Sequence, residues 1–278
     1  MYSIKLNLIF LFTIFYFISG CSKQQEIDNT SLNPEVLNKI FDPRYKVQEN
    51  IKYKEYDSKN NCNIRLDDKS IYCVNIDTAI VSIENGSKFI YAVENGTELD
   101  ENKEKMIAHV NLGSLKFFKF EILKDDKLKL ISESDLLSCG PYGGTCNAVT
   151  YKYGNGPELA WVVSIGDMHQ GHVGSNLNAY TTFGTKITSF LDIQTSYSNE
   201  NAISEDDADA IFKDINTKIT TIPSTTEKFY DLKIDVNGKE IKKKKSSPIN
   251  FATVIKFNSK SNAYPTDEIK KIYEGAEY

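Results

Sequence analysis

Along most of this chain apolar and polar residues alternate in runs of four to eight positions, broken by Asn, Asp, Gly and Ser, which is the signature of short strands with one buried face. Ile71–Val74 and Ala79–Ile83 are β-rich, and the second run meets Lys88–Val93 across Glu84-Asn85-Gly86-Ser87, which predicts a hairpin. A second Asn-Gly step, Asn95-Gly96, predicts the end of that strand. Leu115–Leu123 mixes Lys116, Lys119 and Glu121 among its apolar positions, and Lys124–Lys127 turns it into Leu128–Ile131. Ala148–Tyr153 and Leu159–Ile165 follow, with Trp161 expected in the core. Leu177–Thr181 and Lys186–Leu191 flank a turn at Phe183-Gly184. Lys228–Val236 and Glu240–Lys244 are predicted to pair across Asn237-Gly238, and Asn250–Phe257 is the last strand. Helices are predicted at three places: from Pro34 to about Phe41, from Ser204 to about Asn216, and after Tyr264-Pro265-Thr266. The acids Glu205, Asp206, Asp207 and Asp209 favour the second of these, since the helix dipole welcomes them behind an N-cap serine. About fifteen short strands with so few helices make the chain mainly β, an irregular antiparallel meander forming a sandwich or propeller-like body. No repeat period supports a regular propeller.

Charge narrows the function classes. Lys+Arg 33 against Asp+Glu 38 gives a net −5, and the pI is near 5.4. Arg44 and Arg65 are the two arginines, so most of the bidentate readers of phosphates and bases are missing and no nucleic-acid partner is expected. Hydrophobic residues at 40% over 278 residues support a folded core and exclude a disordered tail.

The amino terminus departs from this pattern. Lys5 precedes an apolar run from Leu6 to Ile18, shorter than the ~20 residues that span a bilayer as a helix. It ends in Ile18-Ser19-Gly20-Cys21, which resembles the lipobox of bacterial lipoproteins. The resemblance implies a signal peptide at residues 1–20, cleavage before Cys21, and acylation of that cysteine, the new N-terminus. Anchoring by several acyl chains is stable, unlike a single myristoyl chain. Loss of Lys5 takes the net charge from −5 to −6. Ser22 and Lys23 follow where an aspartate would favour retention in the inner membrane, which points to the periplasmic face of the outer membrane. Residues 21–33 are polar and read as a lipidated flexible tether, leaving residues 34–278 as one β-rich periplasmic domain.

Four further cysteines, Cys62, Cys73, Cys139 and Cys146, suit an oxidising compartment. Local pairing, Cys62 with Cys73 and Cys139 with Cys146, is favoured over the other two connectivities. A zinc site is the rival, although neither spacing is that of a zinc finger.

The densest chemistry lies in Gly166–Ser175, which reads as a Gly-rich loop. Asp167, His169 and His172 are candidate metal ligands, and the same three with Ser175 are candidate catalytic residues. Asp167-x-His169 resembles the first motif of metallophosphatases, but the further motifs of that family are absent. So are the Gly-x-Ser-x-Gly elbow, a Walker A loop and a dinucleotide fingerprint, and no cofactor is expected. Two histidines in such a loop also fit plain hydrogen-bonding roles. The wider stretch, His169-Gln170-Gly171 followed by Ser175-x-Leu177-x-x-Tyr180, a glycine turn and Lys186-Ile187, resembles a pattern in poorly characterised proteobacterial periplasmic proteins. That likeness implies a hairpin over residues 177–191 and no activity. Lys242–Lys245 with Lys239 form the one basic patch, suited to anionic headgroups or to keeping an edge strand solvated and unpaired. The expected function is a membrane-anchored protein-binding module with an unidentified protein partner, in one form an immunity protein against a secreted envelope toxin. A metal-dependent or serine hydrolase centred on His169 and His172 is the alternative.

Overall fold

The computed structural model of the chain describes residues 53–274, apart from 68–69, 109–110, 125–126, 141–145, 203–210 and 225–227. The leader, Cys21, the tether and the helix expected from Pro34 lie outside the described residues, as does His109. The fold is mainly β: among the described residues fourteen strands share one sheet. Its first half is a meander in which β1 (Tyr53–Asp57), β2 (Cys62–Asp67), β3 (Ser70–Glu84), β4 (Ser87–Leu99), β5 (Gly113–Ile122) and β6 (Leu128–Glu133) pair antiparallel, each with the next. β7 (Leu137–Cys139) pairs with the first residues of β5. The second half repeats the scheme through β8 (Ala148–Tyr151), β9 (Ala160–His169), β10 (His172–Phe183), β11 (Lys186–Ser198), β12 (Ile211–Ile222), β13 (Asp231–Lys242) and β14 (Lys245–Ile255). The halves join where β6 and β11 run parallel, through the single pair Glu133 and Lys186.

The sheet folds over on itself, so that β9 faces β4 and β5. Trp161 of β9 is fully buried, its ring 4.9 Å from Tyr91 of β4 and 5.4 Å from Phe117 of β5. Leu115 and Phe117 point to this layer, while Phe118 and Phe120 point to the other face with Ile90 and Ala92. Burial on both faces explains why the Leu115–Phe120 run does not alternate cleanly. Each such Phe contributes about 2–3 kcal/mol by leaving water. A third cluster unites Phe190, Phe229, Leu232, Ile234 and Tyr264 with Ile269 and Tyr273 of the short helix α1 (Asp267–Tyr273), which lies against β11. This helix follows Thr266 as expected. Asp267 and Glu268 in its first turn and Lys270 and Lys271 in its last complement its dipole.

Three expectations are corrected. From Ile211 onward the predicted helix to Asn216 is strand β12, which links β11 to β13; residues 204–210 lie outside the described residues. Ile211 and Ile215 mimic a helical face, but the Ile- and Thr-rich run Ile215–Ile222 is β-branched at most positions and prefers a pleated surface. Asn95-Gly96 does not end β4, which continues to Leu99; a Cβ at Gly96 would sit 2.5 Å from Ser114 Oγ and 2.6 Å from Val74 Cγ1. Asn237-Gly238 is not a turn either. β13 runs straight through it, and a Cβ at Gly238 would lie 2.2 Å from the Asp214 carbonyl oxygen. In both places glycine serves close packing between strands rather than chain reversal. The Asn85-Gly86 hairpin forms as predicted, with φ of 51° and 88°.

Candidate functional site

The stretch read as a Gly-rich loop, residues 166–175, is instead the end of the β9–β10 hairpin. Its turn is Gln170-Gly171, with φ of 47° and 85°, the geometry of a type I′ reversal. Gly171 is required twice over, since its φ is left-handed and a Cβ would lie 2.4 Å from the Asn201 carbonyl and the Ala202 nitrogen.

Register decides which candidates meet. His172 pairs with His169 and Gly174 with Asp167, so positions 167, 169 and 172 share one face of the hairpin. His172 Nδ1 lies 2.8 Å from the Tyr197 hydroxyl, and that phenol is fully buried. This bond orients the imidazole. Asp167 is exposed and its carboxylate accepts the Met168 N–H at 2.7 Å. The His169 side chain lies outside the described residues.

Ser175 falls on the opposite face. Its hydroxyl lies 2.8 Å from Thr195 Oγ1 and 2.7 Å from Ser196 Oγ, in a ladder of hydroxyls between β10 and β11. An activated serine needs its base within hydrogen-bonding reach, and the sheet separates Ser175 from His172. Ser164 pairs with Leu177, also on that opposite face, and Asp192 is engaged by Lys270 at 3.3 Å. Among the described residues no three His, Cys, Asp or Glu side chains are grouped to hold a metal.

Both cysteine pairs fall within disulfide distance as expected: Cys62 and Cys73 have Cα atoms 5.5 Å apart, Cys139 and Cys146 5.6 Å. The first links β2 to β3 and the second closes the loop between β7 and β8.

Two features escaped the sequence reading. Lys119 of β5 and Glu84 of β3 form a buried ion pair at 2.7 Å, and Tyr91 donates its hydroxyl to the same carboxylate. Burial, and then the Glu84 carboxylate beside it, push the Tyr91 phenol far above its ordinary range. Acids and lysines scattered over three strands carry no common spacing, so no motif would announce them. The second feature is apolar exposure at hairpin ends: Met168, next to the β9–β10 turn, is 63% exposed, and Ile83, next to the β3–β4 turn, 62%. The best-formed concavity among the described residues lies elsewhere, lined by Tyr153, Gly154, Leu159, Ala160, Thr181 and Phe229, and at about 10 Å³ it holds one water at most. Comparison with family models, with curated proteins and with solved structures finds no match for this chain.

Proposed function

We propose that the chain is a lipoprotein of the bacterial envelope, acylated at Cys21, held on the periplasmic face of the outer membrane, and working there by binding a protein. The observation that carries the anchor is Ile18-Ser19-Gly20-Cys21 directly behind a short apolar run. The two cysteine pairs support an oxidising compartment. Met168 and Ile83, exposed at two hairpin ends, are the positions proposed to contact that protein, Met being an adaptable contact residue. The specific form proposed is an immunity protein against a secreted toxin. The serine form of the hydrolase alternative draws no support from a hairpin that sets Ser175 and His172 on opposite faces.

Two measurements test the reading. Cells fed a fatty-acid analogue should label the wild-type chain and not the Cys21→Ala variant, which should stay an unprocessed precursor. Equal labelling of both, or none of the wild type, would refute the anchor. Deleting the chain should sensitise cells to a toxin encoded beside it, and Met168→Asp with Ile83→Asp should reproduce that loss while the chain remains folded and labelled. Unchanged survival of the deletion strain would end the immunity reading.

A further inference from the structure

The sequence holds four Asn-Gly steps, at Asn85, Asn95, Asn155 and Asn237. In such a step the side-chain amide is one ring closure away from the next backbone nitrogen, and glycine leaves that nitrogen uncrowded. The fold treats the four differently. Asn95 is buried; its amide donates to Asp77 Oδ2 at 3.3 Å and to the Cys146 carbonyl at 3.2 Å, and accepts the Cys146 N–H at 3.2 Å. Gly96 is paired on both sides, with Val74 and Ser114, and Gly238 likewise with Ile215 and Ile249. Neither can turn its backbone without parting strands. Asn155 donates its side-chain amide to the Ser224 carbonyl and its backbone N–H to the Lys228 carbonyl at 3.2 Å. Asn85 is held by none of these devices. It is exposed at the β3–β4 turn, and its side-chain amide finds no hydrogen-bond partner among the described residues. Nothing lies within 4 Å of where a Cβ at Gly86 would stand. The last ladder pair is Glu84 with Ser87, so the Gly86 nitrogen lies outside the ladder.

We propose that Asn85 is a site at which the folded chain modifies itself, closing a succinimide ring with Gly86 that opens to aspartate and isoaspartate. The Gly86 nitrogen gives its proton to solvent hydroxide and bonds to Asn85 Cγ; the Cγ–Nδ2 bond breaks and ammonia leaves. Water then adds to one of the two ring carbonyls and breaks its bond to the Gly86 nitrogen. Opening at Cγ leaves aspartate, whereas opening at the backbone carbonyl leaves isoaspartate, with the chain routed through Cβ. The turn supplies the geometry. Ring closure needs Asn85 Cβ and the Gly86 nitrogen eclipsed about the Cα–C bond, which sets ψ at about −120°. The two left-handed residues make the present turn type I′, and turning over the Asn85–Gly86 peptide unit alone gives type II′, whose first central residue has this ψ. Both types connect hairpins, so β3 and β4 stay paired while the ring closes. The flip asks of Asn85 a conformation that side chains rarely adopt, which makes closure slow, while Gly86 changes its φ without strain. The product places a new carboxylate beside Glu84, whose own is committed to Lys119 and Tyr91. Isoaspartate also lengthens the main chain of a two-residue turn by a methylene, two positions from exposed Ile83. Where Ile83 meets a partner, as proposed above, that contact alters as the molecule ages; the modification itself does not depend on it.

The test incubates the full folded chain in mildly alkaline buffer, beside a portion unfolded in guanidinium chloride, and maps peptides from both over time by mass spectrometry. In the unfolded portion all four Asn-Gly peptides should gain the mass of amide turned to acid. In the folded portion the gain should come first, and for long alone, in the peptide that holds Asn85, as two chromatographically separate products, aspartate and isoaspartate. Asn85→Gln, whose ring would need six members, should lose the signal. Aspartate without isoaspartate at Asn85 would mean direct hydrolysis and overturns the ring. An earlier gain at Asn95, Asn155 or Asn237 overturns the site. So does an Asn85 that keeps its amide in the folded chain while the unfolded chain reacts, which would mean that the hairpin protects its own turn.

Discussion

Lys119 is surrounded by the groups that make a buried ammonium tolerable: the Glu84 carboxylate at 2.7 Å, and the faces of Phe89 and Tyr91 at 4.5 and 5.0 Å. Tyr91 is tied in turn to the backbone, accepting the Leu159 N–H at 3.2 Å, so one polar cluster stitches β3, β4 and β5 to the segment that leads into β9. Removing one partner leaves the other charged and dry. Lys119→Ala should therefore cost about 3–5 kcal/mol in urea unfolding, whereas Lys119→Met with Glu84→Leu should cost far less, because no charge is then stranded. Equal losses in the two would show that packing, not the stranded carboxylate, is at stake. The candidate chemistry was legible in sequence only as residue types. That Asp167, His169 and His172 share a face, and that Ser175 does not, depends on a hairpin whose tight turn is hidden by the surrounding glycines. Lys119 and Glu84 were illegible because their pairing is made by strand register across 35 residues.

For whole elements the strand pattern was readable where one face is wet and misleading where both are dry or where glycine serves another purpose. The β3–β4, β5–β6 and β10–β11 hairpins follow from alternation and turn residues alone. Asn85-Gly86, Asn95-Gly96 and Asn237-Gly238 look alike in sequence, yet the first reverses the chain while the other two lie inside strands. The neighbour across the sheet makes the difference, and local propensity cannot see it. Alanine at each glycine should separate the two roles by size. Gly86→Ala has open space around it and should cost about 1 kcal/mol for its left-handed backbone. Gly238→Ala must push against the Asp214 carbonyl and should cost about 2–4 kcal/mol, as overpacking does. Thermal unfolding of the two variants is the check, and a Gly238→Ala loss no larger than that at Gly86 would count against the packing role.

Across the molecule the β-rich fold was legible, but the way in which its two halves close on Trp161 was not, because that depends on where one curling sheet meets itself. The C-terminal core holds Tyr153, Tyr264 and Tyr273, and burial raises all three phenols, Tyr273 to about 12. A buried phenol keeps the proton that an unfolded chain gives up near pH 10. Stability is then full below pH 10 and falls as pH rises through 10 toward 12, by about 1.4 kcal/mol per pH unit for each tyrosine. The urea midpoint should drop steeply between pH 10 and 11.5, with phenolate absorbance rising together with unfolding. A flat midpoint, or full ionisation of the folded chain, would contradict this. The single parallel pair between Glu133 and Lys186 has a consequence for the order of folding. On either side of it every strand but β7 pairs with its neighbour along the chain, so each half forms from largely local contacts, which are fast. The junction instead spans the whole of β7 to β10 and closes only when Trp161 reaches Tyr91 and Phe117. During synthesis the first half is complete before β9 exists, and until then its Trp161-facing side, with Tyr91 and Phe117, stands open to other chains, so the slowest step of folding is also the one most exposed to aggregation.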